Sequence, residues 1–183
     1  IENWYRIVNR KKYNEAMLSI DAKVVEKAKN IKLLILDVDG VMTDGGVIIN
    51  KDGSESKQFY AQDGHGLMIL KSLNIEYAII SGRYSKAVEF RGNELGFKTI
   101  IQNSRDKLAD YKKHFSDFYN SNDVCFIGDD IVDISLMKEV GLAVTVPNAN
   151  YNNVERCSHW ITPRSGGKGA VRDVCDLIYF SQK

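Results

Sequence analysis

Leu33-Leu34-Ile35-Leu36-Asp37-Val38-Asp39-Gly40 is an unbroken apolar run that stops abruptly at two carboxylates and a glycine. A short run of this kind, bounded by a turn signal, reads as a strand covered on both faces rather than one that alternates between core and water. The pattern recurs where Tyr77-Ala78-Ile79-Ile80 meets Ser81-Gly82-Arg83 and where Val124-Cys125-Phe126-Ile127 meets Gly128-Asp129-Asp130. Core strands are expected at 32–37, 76–81, 98–102, 123–128 and 142–146, and helices at 64–73, 85–95, 105–118, 131–139 and about 168–180. Strands alternating with helices predict a parallel α/β sheet. Gly96 and Gly141 follow expected helices, where glycine accepts the left-handed conformation of a C-cap. One segment departs from the alternation: Val47-Ile48-Ile49-Asn50, then Lys51-Asp52-Gly53, then residues 55–60 read as a β-hairpin turning at Asp52-Gly53, inserted directly after the first strand. Residues 1–30 read as a helical extension of one or two polar helices, with Val24, Val25 and Ala28 as a docking stripe, leaving 31–183 as a single domain.

The chain of 183 residues leaves no room for a second full-sized domain, and its 44% apolar and 27% charged residues are those of an ordinary globular protein. With 25 basic against 24 acidic residues the net charge is +1, so no global field recruits nucleic acid or an anionic membrane, and any anion must be bound by local arrangement. No apolar run approaches the roughly 20 residues a membrane helix needs, and residues 1–30 lack the continuous apolar stretch of a signal peptide. Cys125, Cys157 and Cys175 form an odd set without a CxxC pair, which fits reduced, packed thiols and a cytoplasmic location.

Open α/β sheets keep their ligands just beyond the carboxyl ends of strands, and that is where the acidic residues gather. The first strand delivers Asp37 and Asp39, and the fourth delivers Asp129 and Asp130. Carboxylates aimed from two strand ends into one crevice repel without a cation, and hard oxygen donors select Mg²⁺ or Ca²⁺; Mg²⁺ is the natural occupant. Asp133, one helical turn further on, reads as a helix N-terminal charge and stays outside the metal set. Ser81-Gly82-Arg83 offers a hydroxyl and backbone N–H groups at a helix start, and Lys107 brings an ammonium to the same rim. Together these groups describe phosphoryl transfer, where catalysis is chiefly positioning and charge stabilisation, with an aspartate as nucleophile. The acidic loop lacks EF-hand spacing, and Gly166-Gly167-Lys168-Gly169 lacks the Ser or Thr of a P-loop. The glycine segment is either a flexible lead-in to the last helix or part of a neighbour's site. His65, His114 and His159 have no mutual metal-ligand spacing.

The ordered set Asp37-Val38-Asp39-Gly40-Val41-Met42-Thr43-Asp44, Ser81-Gly82-Arg83, Lys107 and Gly128-Asp129-Asp130-Ile131-Val132-Asp133 resembles the haloacid dehalogenase superfamily of aspartyl phosphatases over about 31–180. The resemblance implies a Rossmann-like three-layer fold with the inserted hairpin and no cap domain. It implies Asp37 as nucleophile and Asp39 as acid and base. Mg²⁺ would be held by Asp37, the Asp39 main-chain carbonyl and Asp129, with Asp130 behind them. Ser81, the amides near Gly40 and Gly82, and Lys107 would cradle the phosphoryl oxygens. Gly45-Gly46, Asp63-Gly64-His65-Gly66 and Ser165-Gly166-Gly167-Lys168-Gly169-Ala170-Val171-Arg172 are similar, more narrowly, to the 3-deoxy-D-manno-octulosonate 8-phosphate (KDO 8-phosphate) phosphatase family of lipopolysaccharide biosynthesis. That family implies a homotetramer assembled through the hairpins, with a neighbouring subunit's glycine-rich tail over the site. It also implies substrate contacts from Arg83 and Arg91; Arg172 reads either as a plain helix cation or as a substrate contact across a subunit boundary, and the second is preferred. A sister branch acting on nine-carbon sugar acid 9-phosphates carries Glu where Arg83 stands. His65 and the N-terminal extension depart from the family pattern. Two readings stand beside the main one: a nine-carbon sugar acid phosphatase, and a catalytically idle oligomerisation module, which would be expected to have lost Asp37, Asp39, Lys107 or Asp129. A receiver-type phosphoacceptor would carry its acceptor Asp on a later strand.

Overall fold

The computed structural model describes residues 19–150 and 152–183, so most of the expected N-terminal extension lies outside the described residues. Its centre is a parallel sheet of six strands among these residues: β1 (Leu33–Leu36), β4 (Glu76–Ile80), β5 (Thr99–Ile101), β6 (Val124–Ile127), β7 (Leu142–Thr145) and β8 (Trp160–Ile161), in the spatial order β5-β4-β1-β6-β7-β8. The chain lays strands outward from β1 on one side, then crosses back through β6 to build the other. The reversal therefore falls between β1 and β6, whose registers run Leu33 with Val124 to Leu36 with Ile127. Crevices of open sheets form at such reversals.

Both faces of the sheet are covered, as the apolar runs require. Leu34 and Leu36 point into one core with Leu67, Val88, Val174 and Ile178, while Leu33 and Ile35 point into another with Tyr111, Leu136 and Val154. The first layer comprises α1 (Ala22–Ala28), α2 (Ala61–Lys71), α3 (Lys86–Leu95) and α7 (Ala170–Ser181); the second comprises α4 (Lys107–Phe115), α5 (Ile134–Glu139) and α6 (Asn152–Cys157). This is the three-layer arrangement expected. Within α1, Val24 and Ala28 are buried and Val25 packs against the same core, and Gln182 after α7 donates to the carbonyls of Ala28 and Ile31. Cys125 and Cys175 are buried, Cys157 partly so, and all three are free thiols.

The five expected core strands are all present, and β8 and α6 were not anticipated. β8 has two residues, Trp160 half-buried and Ile161 exposed, because an edge strand with one partner needs no apolar run. α2 begins at Ala61, three residues before the expected start. The expected helix at 131–139 is divided into a 3₁₀ turn, Ile131–Asp133, and α5. The hairpin is formed as expected, but by strands of only two residues each, β2 (Ile48–Ile49) and β3 (Glu55–Ser56). Gly53 at its tip has φ +80°, and Asp52 Oδ1 accepts the Ser54 N–H at 3.0 Å. Among the described residues no helix is long and apolar enough to cross a membrane.

Candidate active site

The Asp37 N–H donates to Ile127 O at 3.0 Å, carrying the β1–β6 pairing one residue past the strand and holding the two acidic strand ends side by side. Gly40 then turns with φ +86°, and a Cβ there would stand 2.0 Å from Asp129 Oδ2. Only glycine lets the second carboxylate lie against the first loop. Across the crevice, Asp106 caps α4 by accepting the Ala109 N–H at 3.0 Å, which makes Lys107 the first helical residue. Lys107 is 3% exposed; its Nζ lies 3.0 Å from Asp37 Oδ1 and 2.5 Å from Asp133 Oδ1. Asp133 stands at the helix start, as expected, but it is fully buried. Its other oxygen accepts the N–H groups of Asp129 and Asp130 at 2.9 and 3.1 Å, so it fixes the lysine and the strand-end loop together. Asp130 accepts the Ile131 N–H at 2.6 Å and caps the 3₁₀ turn.

Oxygens of Asp37, Asp129 and Asp133 lie within 4.8 Å of one another. Burial, aided by Asp133 and opposed by Lys107, pushes the Asp37 carboxyl up to about 6. Burial and the neighbouring Asp37 and Asp133 push Asp129 up to about 8. Burial pulls Lys107 down, but Asp37 and Asp133 outweigh it and hold the ammonium above its usual range. Three carboxylates thus face one ammonium in a desolvated crevice, a deficit of positive charge that suits a hard divalent cation. Asp133 belongs to the cluster by distance, yet its oxygens are engaged by Lys107 and two amides. Asp37 and Asp129 retain the capacity to coordinate.

The remaining expected residues fall in two places. Ser81 is buried and continues β4, its carbonyl accepting the Ser104 N–H at 3.0 Å, and Gly82 follows in an open turn. Arg83, half exposed, reaches Asp39 Oδ2 at 3.5 Å and Glu55 Oε2 at 2.6 Å. Arg91 and Arg172 sit on α3 and α7. Arg91 pairs with Glu94 and lies against Gly64, and Arg172 pairs with Asp176, both near the buried Asp63. The glycine-rich segment is seated on the chain's own loop. Gly166 N–H donates to Asn148 Oδ1 at 2.7 Å, Asn148 Nδ2 donates to Gly40 O at 2.9 Å, and a Cβ on Gly166 would lie 1.7 Å from Gly40 O.

Sequence reading missed Lys57, whose side chain is 1% exposed and whose Nζ bonds Asp39 Oδ1. Period-2 alternation puts Glu55 and Lys57 on one face of the hairpin, a signal available beforehand. It also missed Asn148 as the tie between Gly40 and Gly166.

A sequence model of the haloacid dehalogenase-like hydrolase family matches residues 99–172. The chain is 42% identical over 160 residues to the 3-deoxy-D-manno-octulosonate 8-phosphate phosphatase KdsC of Yersinia pestis, covering 87% of this chain and 85% of that protein. It is 40% identical over 168 residues to the enzyme of the same name from Escherichia coli K12, covering 89% and 87%. Among solved structures, the Yersinia pestis phosphatase superposes with a TM-score of 0.85 at 41% identity, covering 88% of this chain and 87% of that one. The Moraxella catarrhalis phosphatase, solved in complex with magnesium, phosphate and KDO, superposes with a TM-score of 0.82 at 42% identity, covering 87% and 92%.

Proposed function

We propose, from the premise that the chain belongs to the haloacid dehalogenase-like hydrolases and within them to the KDO 8-phosphate phosphatases, that it is a Mg²⁺-dependent phosphomonoesterase hydrolysing KDO 8-phosphate to KDO and phosphate. The observation that carries the reading is the buried Asp37 carboxylate at the switch point, flanked by Lys107 at 3.0 Å and by Asp129. That the Moraxella catarrhalis phosphatase was solved with magnesium, phosphate and KDO, the metal and the two products of this reaction, supports it.

In this reading an Asp37 oxygen attacks phosphorus in line with the ester oxygen. A new P–O bond forms to Asp37 while the bond to the sugar breaks, and Asp39 gives its proton to the departing alkoxide. A water deprotonated by Asp39 then attacks the aspartyl phosphate, the bond to Asp37 breaks, and inorganic phosphate leaves with both aspartates restored. Lys107, kept charged by its two carboxylate partners, meets the phosphoryl oxygens, as do the Ser81 hydroxyl and the amides near Gly40 and Gly82. Asp37, Asp129 and the Asp39 main-chain carbonyl would hold Mg²⁺, which when bound neutralises the crowded carboxylates and the incoming dianion. Asp130 supports that set by capping the turn behind it. Arg83 takes the substrate's carboxylate. Arg91 is a further substrate contact, and Arg172 reaches the substrate across a subunit boundary of a homotetramer. The enzyme works in the cytoplasm on lipopolysaccharide precursors.

Phosphate release from KDO 8-phosphate, a nine-carbon sugar acid 9-phosphate and unrelated sugar phosphates, with Mg²⁺ or with EDTA, tests this. The expected result is the highest kcat/KM on the eight-carbon ester, abolished by EDTA. Asp37→Asn is expected to lower kcat by about 10⁴-fold or more with its circular dichroism unchanged. Absence of metal-dependent release from every ester would overturn the reading.

A further inference from the structure

Asp39 is held from the hairpin as well as from the loop after β4. Lys57 Nζ bonds Asp39 Oδ1 and lies 2.6 Å from Glu55 Oε1; Arg83 lies 2.6 Å from Glu55 Oε2 and 3.5 Å from Asp39 Oδ2. The four residues close a ring of alternating charge in which each carboxylate touches both cations. The cations differ in access: the Lys57 side chain is 1% exposed and the Arg83 side chain 49%. Arg83 is open to a ligand anion and cannot serve that anion and Asp39 with undivided geometry. Lys57 is out of a ligand's reach, so its grip on Asp39 persists when the site fills. Lysine is almost never fully buried without a partner, and here the partners are the proton donor of the proposed reaction and the glutamate that also holds Arg83.

We propose that Lys57 is a positioning residue for Asp39, acting from the hairpin to aim that carboxyl at the ester oxygen and so to make proton delivery to the leaving group depend on where the hairpin sits. The proposal rests on the phosphatase reading above. Its signature is a dependence on the leaving group. The departing sugar alkoxide needs a proton, whereas the p-nitrophenolate released from p-nitrophenyl phosphate leaves without one. The constant kcat/KM reports steps up to formation of the aspartyl phosphate, so the ratio of its values on KDO 8-phosphate and on p-nitrophenyl phosphate isolates proton delivery.

The experiment measures that ratio for wild type, Lys57→Met, Lys57→Arg, the double variant Lys57→Met with Glu55→Gln, and Asp39→Asn as the limiting case. Lys57→Met is expected to lower the ratio by about tenfold or more, in the direction of Asp39→Asn, and Lys57→Arg to recover most of it. The double variant removes the carboxylate that Lys57→Met strands and supplies the same reading if the single variant does not fold. An equal loss on both esters, or an unchanged ratio, overturns the proposal. Wild-type inactivity on both esters overturns the phosphatase reading first, and this proposal with it.

Discussion

Asp63 shows how one buried charge sets a pH dependence of stability. It is 4% exposed on α2; Oδ1 accepts the Arg172 N–H at 2.8 Å, while Oδ2 is buried with no donor. Burial pushes its carboxyl from 3.8 up to about 6, against the pull of the Arg172 N–H and of Arg164. The unfolded chain releases this proton near 3.8 and the folded chain near 6. The stabilisation is therefore complete below the unfolded value and is lost as pH rises through the folded one. Asp63→Asn keeps an acceptor for the Arg172 N–H and removes the charge. It is predicted to be more stable than wild type at pH 7.5 by about 1–3 kcal/mol, with the difference gone near pH 4, as read from urea unfolding. A variant less stable at pH 7.5 would show that the charge itself holds α2 to α7. At this scale the convergence of Asp37, Asp129 and Lys107 was legible, because strand ends at a switch point must share a crevice. The role of Asp133 was not: a lone aspartate has no period to separate a buried anchor from a solvated charge, and for Lys57 the alternation with Glu55 marks a shared face without saying that it is buried.

The elements followed their apolar runs, and the helix whose start was misplaced, α2, is the one that carries glycines in its first turns. Gly64 and Gly66 fall within the expected helix and lie inside α2, which begins three residues earlier than expected. Helix packing explains them. A Cβ on Gly66 would stand 2.9 Å from Cys175 Cβ and 2.9 Å from Arg172 Cδ, so the missing side chain lets α2 and α7 approach. Glycine lowers intrinsic helix stability, and sequence reading weighs that local cost without seeing the partner helix that removes it. Since Cys175 is 0% exposed, its backbone has little room to yield. Gly66→Ala is predicted to lose about 1–3 kcal/mol despite the better helix propensity of alanine, measured as a lower denaturant midpoint at unchanged m. A more stable variant would mean that the α2–α7 contact relaxes freely.

At the scale of the whole molecule, the chain spends its length on the sheet and its helices, and the insertion after β1 is a hairpin too small to close over the crevice. Two strands of two residues do not form a stable hairpin unaided, and this one exposes Val47, Ile48 and Ile49 at 45%, 51% and 63%. Its return side is occupied differently: Glu55 in β3 and Lys57 just after it turn toward Asp39 and Arg83. One small element therefore has an apolar strand side that needs cover, around β2, and a charged strand side, at and after β3, that touches the candidate acid. In the tetramer proposed above, the same contact that buries Ile48 and Ile49 holds Lys57 in register with Asp39, so assembly and turnover should fail together. Ile48→Asp with Ile49→Asp places two charges in that contact, each costing several kcal/mol if desolvated and unpaired. Light scattering during assay is predicted to show a species smaller than wild type, with kcat/KM on KDO 8-phosphate reduced at least about tenfold. A smaller species that keeps full activity would break the link between the hairpin's two sides and leave the single chain as the complete catalyst.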